Sequence, residues 1–412
     1  MGCTTSKYMI ARKKKKLIIP EIAVFTPSLR IPVHCDLQKS IKGLIPNDLV
    51  DRIISVRNQI ILIAEDTGGS ATNELLAALE EYLPLLLGFT NKDHGLLDVV
   101  EFKWRDLDGR HEVCIANPWF EILSVIHLMA MLTLAQANFI LIPKDRSGSF
   151  DSVVSADNMR DAVDLLLKAS SYLEFCVKNL LHFPIDIKKR LPKELQDNVL
   201  QGIAYQALGQ GTEIQLGLAM ESQNATSSVK RRLACEQLGY LSQAHYCLSD
   251  CNIDDHDGGY GKKNLSFIKW KYLEAKAASY YFHGVIVDKG SEPSCQVSAV
   301  CCYLAADGLL TESKKACLSF CLANPITRAP PAWGGIKQLN KKVPELASKK
   351  SQMYGYLLEQ EKDDLQGLPD LPEFQLSLRP EDWELPEIDS AWVNEKWEIP
   401  TQPLKEHLED SE

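Results

Sequence analysis

Residues 120–143, FEILSVIHLMAMLTLAQANFILIP, constrain the fold more than any other stretch. Asn117-Pro118 just before them supplies an N-cap and a first-turn proline, so the run reads as a helix. A helix apolar nearly all round has to be covered on every side by other elements or by lipid. His127, Gln136 and Asn138 interrupt the run, and a bilayer span needs about 20 mostly apolar residues. We therefore expect a central buried helix inside a large helical body, and 412 residues are enough to build one.

Periodic segments that can do the covering lie on both sides. GGSATNELLAALEEYLPLLLGF reads as helix from about Ser70. From Asp157, Met159, Val163, Leu166, Ala169, Leu173, Val177 and Leu180 trace one helical stripe that Pro184 ends. Further helices are expected at about 192–221, 226–249, 264–287, 294–323 and 334–363, with alanine-rich faces such as Ala275, Ala277 and Ala278. Long helices joined head to tail suggest stacked antiparallel pairs of the tetratricopeptide kind, although no clean 34-residue period emerges. Short strands are expected in IAVFTPSLRIPVHCDL, and a hairpin joins DVVEFKWRD to RHEVCIA through Asp108-Gly109.

The two ends differ from this body. Met1-Gly2 followed by Ser6 fits the pattern for myristoylation of Gly2, and Cys3 beside it is a candidate for palmitoylation. One myristoyl chain binds a bilayer only marginally, so a second signal is needed. Cys3 is one candidate, and Lys7, Arg12, Lys13, Lys14, Lys15 and Lys16 facing an anionic membrane are another. The plainer alternative is a disordered basic terminus or a nuclear-localisation-like run. The formal charge of −10 conceals this arm, because the first sixteen residues carry six basic side chains and no acid. An acidic body with one basic arm argues against nucleic acid as a partner. At the other end, LPDLPEFQLSLRPEDWELPEIDSAWVNEKWEIPTQP carries Trp383, Trp392 and Trp397, which would be poorly accommodated in water. It reads as an extended strap on the helices or as a linear motif offered to a partner.

No secretory signal is visible, so the twelve cysteines read as reduced thiols, with Cys235, Cys301, Cys302, Cys317 and Cys321 in apolar helical runs. Catalytic patterns are sparse. His245, Cys247, Cys251, Asp254, Asp255 and His256 cluster between two helices, and such residues can bind zinc, but no second ligand pair accompanies them. Counted from Asp250 as a calcium loop, Asp255 stands where glycine is needed and Gly261 where the bidentate glutamate belongs. The glycine-rich GQGTEIQLG and EDTGGS lack the features of a phosphate loop. Lone histidines such as His127 and His283 read as packing residues. No cofactor, metal or small-molecule substrate is expected.

The order of FKWRDLDG, a helix ending LTLAQAN, and DAVDLLLKASSYLEFCVKNLL resembles the Bro-domain (Alix-like) family of endosomal sorting proteins. Ala162, Ala169, Leu173 and Glu174 fill its helix pattern, and LQGIAYQALGQGTEIQLGLA, KWKYLEAKAASYYFHG and KDDLQGLPDLPEF are similar to later family segments. The resemblance covers about residues 20–375 and divides the chain into an arm (1–19), a Bro-like domain (20–375) and an acidic strap or tail (376–412). It implies a mainly α fold: a curved, boomerang-like helical solenoid with tetratricopeptide-like pairs, a small N-terminal β-sheet and an extended C-terminal strap. It also implies a non-enzymatic adaptor whose hydrophobic patch takes the C-terminal amphipathic helix of an ESCRT-III subunit. Carried over, the patch falls at Leu216 or its neighbour Gln215, with Val229 and Leu233, and the aromatic that the family usually has near Leu216 is missing. The coiled arm and proline-rich tail of larger relatives are not expected. Rival readings are a tetratricopeptide-like scaffold for another cytosolic partner and a metal enzyme built on residues 245–256.

Overall fold

The computed structural model describes residues 19–27, 29–67, 71–106, 111–143, 154–180, 183–249, 260–360 and 368–392. The two acylation candidates, the basic run, Asp108-Gly109, most of the 245–256 cluster and Trp397 lie outside the described residues. Three antiparallel strands, β1 (Arg30–Pro32), β2 (Phe102–Asp106) and β3 (Glu112–Ile115), form one small sheet in that order. Phe102 pairs with Ile115 and Trp104 with Val113, while Pro32 sits on the edge strand, where its missing N–H is tolerated.

The helices are α1 (Leu37–Ile41), α2 (Asn47–Thr67), α3 (Thr72–Leu87), α4 (Pro118–Leu141), α5 (Ala156–Leu180) and α6 (Ile185–Lys188). They continue as α7 (Asp197–Glu221), α8 (Ser227–Ser249), α9 (Tyr260–Val287), α10 (Pro293–Leu322) and α11 (Gly334–Gln360). From α4 onward the long helices pack mainly on their neighbours in order, α4 on α5, α5 on α7, then α7 through α11, which makes a helical solenoid. Helix α4 is its hub. The Asn117 side chain accepts from the Trp119 N–H at 2.9 Å, and every residue from Phe120 to Leu134 is buried. On α5 the expected stripe is the buried one, from Met159 through Leu173 to Leu180.

Within that core, Glu121 is fully buried and collects Arg57 Nε (2.9 Å), the Tyr82 hydroxyl (3.2 Å) and the Trp104 indole N–H. Arg57 also donates to the Val33 and Lys103 carbonyls, tying α2 to the sheet margin. Burial works against the guanidinium's charge, but the Glu121 carboxylate holds it in the charged form, with its pKa above the ordinary value. His127, as expected, is a packing residue: burial pushes its pKa down to about 3, so it stays neutral.

One expectation is corrected. Residues 23–25 join no sheet, because their backbone is claimed by side-chain amides. Asn138 Oδ1 accepts from the Ala23 and Val24 N–H groups (2.7 and 2.9 Å), Gln206 donates to the Phe25 carbonyl and Gln210 to the Ala23 carbonyl. The segment is thus threaded between the end of α4 and α7, and the polar residues of LTLAQAN and AYQALGQ are what hold it.

Glycines of GQGTEIQLG are packing positions in the middle of α7. A Cβ on Gly209 would come within 3.0 Å of Leu241 on α8, and one on Gly217 within 3.1 Å of the Gly335 nitrogen on α11. Residues 368–389 form an extended strap that crosses α8, α7, α5 and α3. The Tyr240 hydroxyl donates to the Leu378 carbonyl, and Glu236 accepts from Ser377. Trp383 lies edge-on to Tyr172 and Phe175. Trp392 closes the strap, its indole donating to the Leu85 carbonyl at 2.9 Å.

Candidate functional site

The residues named for the partner-binding patch lie around the turn from α7 to α8. Thr226 Oγ1 accepts from the Val229 N–H at 3.3 Å and opens α8, leaving the Val229 side chain 47% exposed. Leu233, four residues on and so on the same helix face, is half-buried against a core cluster that also holds Met220 and Leu371 at its edge. Leu216 is a correction. It is only 3% exposed, inside that same cluster with Ala234, Ala277 and Leu339, because its face of α7 is covered by the neighbouring helices. Gln215, the alternative, is half-buried. What reaches the surface is therefore Val229 with part of Leu233.

Lys230, Arg231 and Arg232, not among the expected patch residues, join this surface; in VKRRL they are legible as a basic run framed by the two apolar residues. Arg232 pairs with the buried Glu236 at 2.7 Å, which also anchors the strap. Arg231 lies over the Phe374 ring at 5.9 Å, and its Nε, like the nearby His283 Nδ1, is buried without a hydrogen-bond partner among the described residues. Burial and then the Arg231 charge lower the His283 pKa, so the ring stays neutral beside the guanidinium. Apolar anchors beside a basic rim suit an amphipathic helix carrying acidic side chains.

Of the rival centre, His245 and Cys247 are among the described residues. His245 is exposed and Cys247 is buried beside Gly202, so the two point apart, and Cys251, Asp254, Asp255 and His256 lie outside the described residues. Among the described residues no three metal-ligating side chains are grouped to hold an ion. A cavity of about 240 Å³ between α7, α9, α10 and α11 holds Lys271, Glu213 and Glu274. Lys271 Nζ lies 2.9 Å from Glu213 and 3.1 Å from Glu274, which also accepts from the Trp270 indole. Burial opposes the Lys271 charge and the two carboxylates outweigh it, raising its pKa; the three groups satisfy one another.

No family model matches the sequence, and no curated protein matches it. Solved structures do match the fold. ALIX in complex with the SIVmac239 PYKEVTEDL late domain superposes with a TM-score of 0.59 at 12% identity, over 88% of this chain and 49% of that one. The chain thus spans about half the length of that structure. The Bro1 domain solved as a basis for endosomal targeting gives 0.54 at 14% identity, over 91% and 95% of the two chains. The complex of the ALIX BRO1 domain with CHMP4C gives 0.62 at 12% identity, over 88% and 96%. The chain has the Bro-domain fold, a curved helical solenoid with a small sheet at its N-terminal side.

Proposed function

We propose that this protein is a lipid-anchored Bro-domain adaptor that binds the C-terminal amphipathic helix of an ESCRT-III subunit and acts in endosomal sorting and membrane remodelling. The observation that supports the partner is the solvent-facing Val229, with Leu233 and the Lys230–Arg232 rim beside it, on a fold that in ALIX is found in complex with CHMP4C. The adaptor works by co-localisation. An anchored body confines a modest helix-in-groove interaction to the cytosolic face of endosomal or plasma membrane, raising its effective concentration.

The partner half is tested by pull-down with an ESCRT-III C-terminal peptide. Val229→Asp puts a charge on an exposed position, so the fold is kept, and the loss of one apolar anchor is expected to weaken capture by about tenfold or more. Capture unchanged by Val229→Asp would reject this surface. The anchor half is tested by Gly2→Ala, which is expected to move the protein from membranes to cytosol in cell fractionation. Cys3→Ser should give a weaker, salt-sensitive attachment, since myristate and the lysines remain. A Gly2→Ala protein that stays on membranes would reject acylation as the attachment.

A further inference from the structure

One apolar surface is used neither by the fold nor by the partner site. Helix α10 is long and apolar enough by length and composition to cross a bilayer, yet it is far less buried than α4. Its exposure concentrates at the C-terminal end, where Leu318 and Leu322, four apart and on one face, are 59% and 65% exposed and Ile326 just beyond is 54% exposed. Thr327 N–H donates back to the Cys321 carbonyl, folding Ile326 alongside that last turn. Lys314 and Lys315 precede Leu318 by four and three residues, and Arg328 follows Ile326; all three are exposed and none is ion-paired among the described residues. Neighbouring exposed aliphatic side chains with a basic border are the composition expected of an interaction surface.

The chain's own path says what covers it. Arg328 N–H donates to the Pro20 carbonyl and Ile22 N–H to the Arg328 carbonyl, both at 2.8 Å, so the chain joins the body at Pro20–Ile22 beside this patch. At no more than about 3.6 Å per residue, the four peptide steps from Pro20 back to Lys16 can span at most about 14 Å and the seven back to Lys13 about 25 Å. A bilayer that holds the arm's lysines is therefore within a short reach of Leu318, Leu322 and Ile326.

We propose that the C-terminal end of α10 is a second membrane contact, in which Leu318, Leu322 and Ile326 enter the headgroup boundary of an anionic bilayer while Lys314, Lys315 and Arg328 meet its phosphates. This contact would fix the orientation of the solenoid on the bilayer, which an acyl chain at Gly2 alone would not. The proposal draws on the anchor reading of the arm and is independent of the partner site.

The test is co-sedimentation of the full chain with phosphatidylcholine–phosphatidylserine vesicles, using acylated protein and a Gly2→Ala chain that carries no acyl group. Each is compared with and without Leu318→Asp/Leu322→Asp, and with Leu62→Asp, a similarly exposed leucine on α2, as control. The double variant is expected to lose about tenfold or more of vesicle binding in both backgrounds, as an apolar surface leaving the interface should, with Leu62→Asp unchanged. An unaltered thermal midpoint shows that the double variant is folded. Equal vesicle binding by parent and double variant in both backgrounds would overturn the contact. So would a parent that self-associates without vesicles and becomes monomeric in the double variant, because the patch would then be covered by a second copy. If acylated and Gly2→Ala chains bind alike, the anchor reading fails, while the comparison within either background still decides the patch.

Discussion

Glu121→Ala should lower the unfolding free energy by about 3–5 kcal/mol, the effect of removing one partner from a buried ion pair. The size follows from what is left behind. Arg57 is 2% exposed, so its charge would remain in the core without its carboxylate, and the Trp104 and Tyr82 donors would lose their acceptor as well. Domains are stable by only about 5–15 kcal/mol, so the variant would lose a large share of its stability. Glu121→Gln, which can still accept from Trp104 but carries no charge, should fall between the two. Equilibrium denaturation in urea measures both. A loss below about 1 kcal/mol would mean that the cluster contributes little net stability, as buried ion pairs sometimes do.

Trp392→Ala should be comparably severe, at about 3–5 kcal/mol for a buried tryptophan, but expressed locally. The indole is 4% exposed, lies edge-on to Phe89, stacks on His94 at 5.2 Å and donates to the Leu85 carbonyl. It fits because Gly88 has no side chain: a Cβ there would sit 2.0 Å from the ring, so Gly88→Val should act in the same way from the opposite side. Upstream, the strap is held by Trp383, by the Lys178–Asp382 and Arg52–Asp389 pairs and by the Asp389 N–H donating to Pro84, so losing its end should loosen residues 380–392 first. Limited proteolysis should cut that segment faster in the variant while the helical core stays intact. An unchanged cleavage rate would show that Trp392 does not hold the strap.

The helices were legible because their signals are local. Asn117-Pro118 starts α4, the stripe from Met159 to Leu180 sets α5, and the loss of periodicity after the last helix, with its tryptophans, marks the strap. What was not legible depends on neighbours distant in sequence. Leu216 belongs on an apolar face in any reading, but whether that face is open is decided by α9 and α11, more than sixty residues away. The stretch at 23–25 has strand composition, yet Asn138, Gln206 and Gln210 take its backbone groups from over a hundred residues downstream. Arg57 and Glu121 look like ordinary surface charges until α2 and α4 are brought together under the sheet. The basic run at Lys230–Arg232 is legible in VKRRL, but only the fold places it at the rim of the Val229–Leu233 surface.

The central claim joins two halves, a membrane-held arm and a partner-binding surface near the start of α8. It is tested most directly by reconstitution with anionic vesicles, acylated full-length protein and a labelled ESCRT-III C-terminal helix peptide, reading the peptide found on the vesicles. The expected result is peptide on vesicles only when the acylated chain is present. Gly2→Ala should leave peptide and protein together in solution, and Val229→Asp should leave the protein on the vesicles and the peptide free. Peptide that remains in solution with the acylated wild-type chain, or that reaches the vesicles equally well with Val229→Asp, would contradict the account.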